Sequence, residues 1–577
     1  MNQKIVILFS LINPATPLVT YGGAILILLF SILLLLEHNQ QSRPSEKSIS
    51  NSGNVLSIFN ALLAIVIIVN SRPIDFWLSL LLVLFVVVAL SLLIKIGSKS
   101  FRVPRIIILF LVVFVYAIWV VFYCQHDLYG VQITAMLNTT LSDQSGAASN
   151  DRLVTELWEK NIAAAFKEKT GITVIIKGVD PVPNKRLPKF QKILDPSHST
   201  NSEKNEVDNV DVFAIDVIWP KILANYAEDL TPHFKKDLQR FISAVVENNT
   251  VNQKLVAVPW YIDIGLLYYR QDLLNQYGEK PPQTWEELET IAKKIQDAER
   301  KDKNPSIWGF IWQGKENEGL TCNALEWQAS HGGGIIIDNE SKVDFSLGAV
   351  TAFDRARKWI QESKITPPDV LEYGQGDLLN VWNQRNAVFM RDWPSAYRAS
   401  QVTNSSIEPG EIGVSELPRG NGSGARHVST LGGWELMVNK NSKGKKRDAA
   451  IKFVEFLSKD VEPINSPSLD NLSAPVSLAV KAGKLPALIE LYDLPEVRKA
   501  LPYIDDLSVK DLFTDNSLTH AESQIVRRPS TLTGKKYTAV SETYFKNVHK
   551  ILEGLSDPKD AIKIMKEEIK VILAALK

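Results

Sequence analysis

Four long apolar runs crowd the first quarter of the chain: Leu18–Leu36, Val55–Val69, Phe76–Ile94 and Ile106–Tyr123. A helix that crosses a bilayer needs roughly 20 mainly apolar residues, and ~17 suffice. Three runs meet that length, and the second implies a short or tilted span. None contains Asp, Glu, Lys or Arg. An ion or proton pathway normally needs such a residue, so the runs predict an anchor and not a pump. The link between the third and fourth runs carries Lys95, Lys99, Arg102 and Arg105 without an acid, which places it in the cytoplasm and the chain after Cys124 outside. The first run starts too late, with no small-residue cleavage site after it, for a simple signal peptide.

Beyond residue 125 the pattern changes. Strand-like "VQITAM", "ITVII" and "DVFAI" alternate with helical spacing over Asp151–Lys169 and Ile218–Tyr226. A further helix is predicted over Thr284–Ala298, with Thr284 and Glu287 at capping-box separation. Such alternation predicts an α/β fold with mainly parallel sheets. Some 440 residues of it exceed what one core usually supports, so two lobes are expected. The polar stretch Pro181–Asn209 reads as a surface insertion. The 64 basic and 64 acidic side chains balance, which gives no sign of a nucleic-acid partner. Two cysteines, Cys124 and Cys322, do not make a disulfide framework.

Catalytic signatures are missing from the sequence. "TLTGKKY" lacks the upstream glycine and the hydroxyl residue of a P-loop. No H-E-x-x-H, metal-spaced Cys/His cluster or G-x-S-x-G elbow occurs. "HGGGIII" reads as a glycine turn between helix and strand. A glycosidase needs only two suitably spaced carboxylates, and no such pair is visible here. The expectation is a protein that is not an enzyme and has neither cofactor nor metal.

The stretch "AVPWYIDIGLLYYRQDLL", Ala257–Leu274, sets an acid, Asp263, among four aromatic residues. Together with "DVFAIDVIWPKILANYAEDLTPHF", "PPQTWEELETIAKKIQ", "WGFIWQGKENEGLTCNALEW", "NAVFMRDWPSAYRAS" and "STLGGWELMV" it resembles the extracellular solute-binding proteins of bacterial ABC sugar importers, in the maltose/trehalose-binding branch. The resemblance runs from about residue 132 to the C-terminus. It implies a two-lobed periplasmic-binding-protein fold with a hinge and an interlobe cleft, preceded by an all-α transmembrane region over 1–125. Lobe 1 is expected over about 132–258 and 394–460, and lobe 2 over about 259–393 and 461–577. Implied partners are a sugar, the membrane, and an ABC permease with ATPase subunits supplied in trans; a sugar-sensing receptor working through a membrane partner is the alternative. Unlike lipid-anchored relatives, the chain has Tyr123 where a small residue would precede a lipidated cysteine.

The resemblance also implies the ligand residues. Asp216 follows the strand "DVFAI" at its carboxyl end, where ligands of open α/β sheets bind; a helix N-cap is the competing role. Tyr261 and Asp263 alternate along a strand and share a face. Aromatic rings suit the C–H faces of a sugar and carboxylates suit its hydroxyls. Trp393 and Trp434 match stacking positions, and Gly433 a close backbone approach. Arg528 matches a ligand arginine, although Arg527 beside it leaves the register open. Glu156 stands near a ligand glutamate of the first helix, or on a solvated helix face. Trp219, Trp260 and Trp312 are expected to pack.

Overall fold

The computed structural model describes residues 128–137, 162–179, 183–195, 210–401, 405–408, 410–459, 480, 483–507 and 524–575. The four apolar runs, the proposed anchor and Glu156 lie outside these residues. Among the described residues no helix is long and apolar enough to cross a membrane.

Alternating strand and helix signals build the larger lobe. Strands β1 (Gln132–Leu137), β2 (Thr173–Gly178) and β3 (Val212–Asp216) pair in parallel, with β1 central. The helix over 162–170, α1, connects β1 to β2 and buries Ile162 and Phe166. Parallel strands need such crossovers. Two later strands, β4 (Val258–Ile264) and β9 (Ser429–Val438), join antiparallel, giving the order β2-β1-β3-β9-β4-β10 with β10 at Leu485–Pro486. Strand β11 (Ile525–Val526) pairs with the start of β9.

The smaller lobe holds β5 (Leu266–Arg270), β6 (Trp308–Ile311), β7 (Ala387–Asp392) and β8 (Ile412–Ser415) in the order β8-β5-β7-β6. Its core is rich in tryptophan: Trp359 touches Trp285, Trp327 and Phe310 at ring separations of 5.5, 5.8 and 5.4 Å. Trp312 packs edge-on to Trp327, inside the same core. Of the predicted capping box, half forms as written: Thr284 Oγ1 accepts from the Glu287 amide, while Glu287 turns to the Gln283 amide.

Three sequence-based expectations need correction. The chain crosses from larger to smaller lobe at Gly265, not near Pro259, because Val258–Ile264 pairs along β9 before the strand passes on. Likewise residues 483–507 belong to the larger lobe, where Leu485, Leu488 and Leu491 join its core. The polar stretch after Pro181 contains a helix, α2 (Pro183–Leu194), that is more than a surface insertion. Phe190, Ile193 and Leu194 sit at helical spacing and are buried, with the Phe190 ring 5.1 Å from that of Phe213.

Candidate functional site

Strand register brings the predicted residues together. Trp434 on β9 pairs with Asp216 on β3 at one side and Tyr261 on β4 at the other. Residues paired directly across a sheet share a face. Asp216, Trp434 and Tyr261 therefore form one row, and Asp263, two residues along β4, lies on the same face opposite Gly432. A Cβ added at Gly432 would lie 3.1 Å from Cζ3 of Trp393 and 3.2 Å from Cβ of Asp263. Trp393, arriving from β7, thus rests its benzo edge over this glycine. The three rings and two carboxylates meet where the lobes join.

Each ring is braced. Trp219 packs edge-on to Trp434 at 6.2 Å, and the Arg186 guanidinium lies 5.5 Å from the Trp434 ring centre. Trp260 packs on Tyr261 at 5.0 Å, and Lys484 Nζ stands 4.8 Å over the Tyr261 ring. Trp393 is half-buried. Its amide donates to Asp392 Oδ1 at 2.7 Å, and its carbonyl accepts from the Tyr268 hydroxyl at 2.8 Å.

Asp216 does not cap the helix at Pro220–Leu223, whose N-cap residue, Trp219, makes no side-chain bond. Instead its Oδ1 accepts from the Ile218 amide at 3.1 Å and from Arg528 Nη2 at 3.2 Å. Arg528 is buried and also reaches Glu318 Oε1 at 2.9 Å, at the start of α3 (Glu318–Ser330) in the smaller lobe. Asp216 and Glu318 keep 24% of their side-chain surface exposed. A guanidinium between two carboxylates from different lobes gives charge-assisted bonds across the junction. Glu318 is fixed in turn by the hydroxyls of Tyr537 and Ser541.

Gly433 faces away from the row. Its φ is +129°, and a Cβ there would lie 2.6 Å from the Tyr261 carbonyl. The tight β9–β4 pairing uses the freedom of this glycine. Behind the row, Glu435 is fully buried with Asn249 donating to its Oε2 at 2.6 Å; burial pushes its carboxyl well above the usual range. Burial likewise raises Asp392 to about 7, opposed by the Trp393 amide, Arg391 and Gln375, and reinforced by the charge of Asp263.

Sequence reasoning missed Arg186, Glu318 and Lys484. Arg186 sits in the stretch read as an insertion, and the apolar spacing of Leu187, Phe190 and Leu194 was the signal for a packed helix there. Nothing local marks Glu318 or Lys484; pairing across more than 200 residues brings them in. Among the described residues no group of three or more His, Cys, Asp or Glu side chains could hold a metal ion.

Residues 153–461 match the family described as bacterial extracellular solute-binding protein. A probable ABC transporter-binding protein of Deinococcus radiodurans is 38% identical over 413 residues, 71% of this chain and 89% of that relative. The maltose-bound structure of T. maritima MalE3 is similar with a TM-score of 0.61 and 32% identity, covering 77% of this chain and 100% of its own. A solute-binding protein from Thermotoga lettingae bound to α-D-tagatose shares the fold at a TM-score of 0.59 and 22% identity, over 77% of this chain and 100% of its own.

Proposed function

This chain belongs to the bacterial extracellular solute-binding protein family, and we propose that it captures a disaccharide or related sugar of the maltose/trehalose kind for ABC import. One observation carries the reading: a single register row of Asp216, Trp434 and Tyr261, with Asp263 and Trp393 on the same face. The rings offer flat apolar surfaces to sugar C–H groups, and the carboxylates accept hydrogen bonds from its hydroxyls. Arg528 donates where Asp216 and Glu318 leave it room, and Glu156 extends the set from outside the described residues. Gly433 contributes by keeping β9 close to β4, so that Trp434 and Tyr261 stay side by side. The maltose carried by the 32%-identical MalE3 supports this ligand class. A permease and ATPase subunits act in trans. The four N-terminal runs tether the domain to the membrane with the site outside, which raises its effective concentration at the permease.

The test is a titration of the purified protein with trehalose, maltose, sucrose and glucosylglycerol, followed by calorimetry and thermal shift. A micromolar ligand at about 100-fold excess over its Kd stabilises by ~2.7 kcal/mol. Absence of any heat or shift across the panel withdraws the sugar reading.

A further inference from the structure

Beneath Trp393 lies a buried ion pair that no ligand role requires. Arg391 on β7 and Glu326 on α3 are both fully buried. Arg391 Nε donates to Glu326 Oε2 at 2.7 Å while Nη2 reaches Oε1, the two-pronged geometry that fixes a guanidinium plane. That plane lies over the Trp393 indole, with Cζ 4.0 Å from the ring centre. Glu326 Oε1 also accepts from the Thr430 amide at 3.0 Å, where β9 leaves the junction. At the other crossing strand, a Cβ on Gly265 would lie 2.6 Å from Arg391 Nη2 and overlap Glu326 Oε1. The two crossing strands are themselves tied, since Ser429 Oγ donates to the Gly265 carbonyl at 2.7 Å.

One pair therefore touches the ring that faces the site and both strands that join the lobes. A buried ion pair is weak evidence for stability, because desolvation offsets most of the attraction and apolar replacements are often neutral. Its value here is positional. We propose that Arg391 and Glu326 are positioning residues that key the Trp393 ring to the interlobe hinge, so that a sugar stacked on Trp393 and closure of the lobes are coupled through them. This rests on the sugar reading above. When the crossing strands move, Glu326 follows the Thr430 amide, the guanidinium follows Glu326, and the indole plane follows the guanidinium. A ligand that requires one ring orientation thereby favours one hinge state, which is how a ligand shifts a conformational equilibrium.

The experiment uses the full-length protein and the double variant Arg391→Met/Glu326→Leu, which removes both charges and leaves no buried ion unpaired. Sugar affinity is read by calorimetry. Amide hydrogen exchange is followed in peptides covering 262–268 and 428–432, with and without saturating sugar. In the wild type, sugar slows exchange in both peptides. In the folded double variant the expected result is at least a tenfold loss of affinity and no sugar-dependent slowing at saturation. Affinity within twofold of wild type, with equal slowing, overturns the proposal. Should the double variant fail to fold, Arg391→Lys, which keeps the buried charge paired but removes the planar two-pronged geometry, is judged by the same two readouts. A wild type silent to every sugar removes the sugar reading and this inference together. A responsive wild type beside an equally responsive variant removes only the inference.

Discussion

At the residue scale, a few side chains carry the site, and the loss of each has a defined consequence. Asp263→Ala removes a carboxylate acceptor and Trp434→Ala a stacking surface. Each should weaken sugar binding at least about tenfold, or ~1.4 kcal/mol, by calorimetric titration; unchanged curves for both would dismantle the site. Asp392 gives a pH signature. Its carboxyl titrates at about 7 in the fold against an ordinary value of 3.8. A raised carboxyl pKa means that the folded state favours the protonated form. The associated stability is complete below about pH 4 and is lost as pH rises through about 7, by up to ~1.4 kcal/mol per unit crossed. Asp392→Asn should flatten the fall in Tm between pH 5 and 8, because the amide keeps the acceptor for the Trp393 and Gln375 donors. A variant whose Tm declines in parallel with the wild type would show that Asp392 does not titrate there.

At the scale of elements, β9 organises the molecule: it pairs with β3 and β4 and carries Trp434 between them. Gly433→Ala should destabilise the protein by ~1–3 kcal/mol in denaturant titrations, because a side chain at this φ is strained and meets the Tyr261 carbonyl. A variant with an unchanged midpoint would contradict that role for the glycine. Much of this was legible in the sequence. Period-two alternation put Tyr261 and Asp263 on one face, and the position after "DVFAI" put Asp216 at a strand end. The row itself was not legible, since it depends on the register of β9 against two strands that precede it by more than 150 residues. Polar composition concealed α2, whose few apolar residues are enough to bury one face and set Arg186 behind Trp434. The crossing at Gly265 was hidden because "YIDIGLLYY" reads as one continuous run, although it divides between two sheets.

At the scale of the whole molecule, the two lobes meet through Gly265, the Trp393 segment, the start of β9 and Arg528. Among the described residues, charged side chains bridge that junction as Asp216–Arg528–Glu318 and as Arg391–Glu326–Thr430. A binding protein works by differential affinity for its open and closed states, and these bridges stand where such states would differ. Arg528→Ala leaves Asp216 and Glu318 without their shared cation, so affinity should fall more than tenfold even where the sugar itself touches neither group. Affinity equal to wild type would remove Arg528 from the account. Every binding outcome above depends on capture of a sugar by the aromatic–acid face. Calorimetric titration of the full-length protein with maltose and trehalose tests it most directly. The expected result is saturable micromolar binding to one site, weakened at least about tenfold in Asp263→Ala; no binding of any sugar, or binding that Asp263→Ala leaves unchanged, would contradict sugar capture.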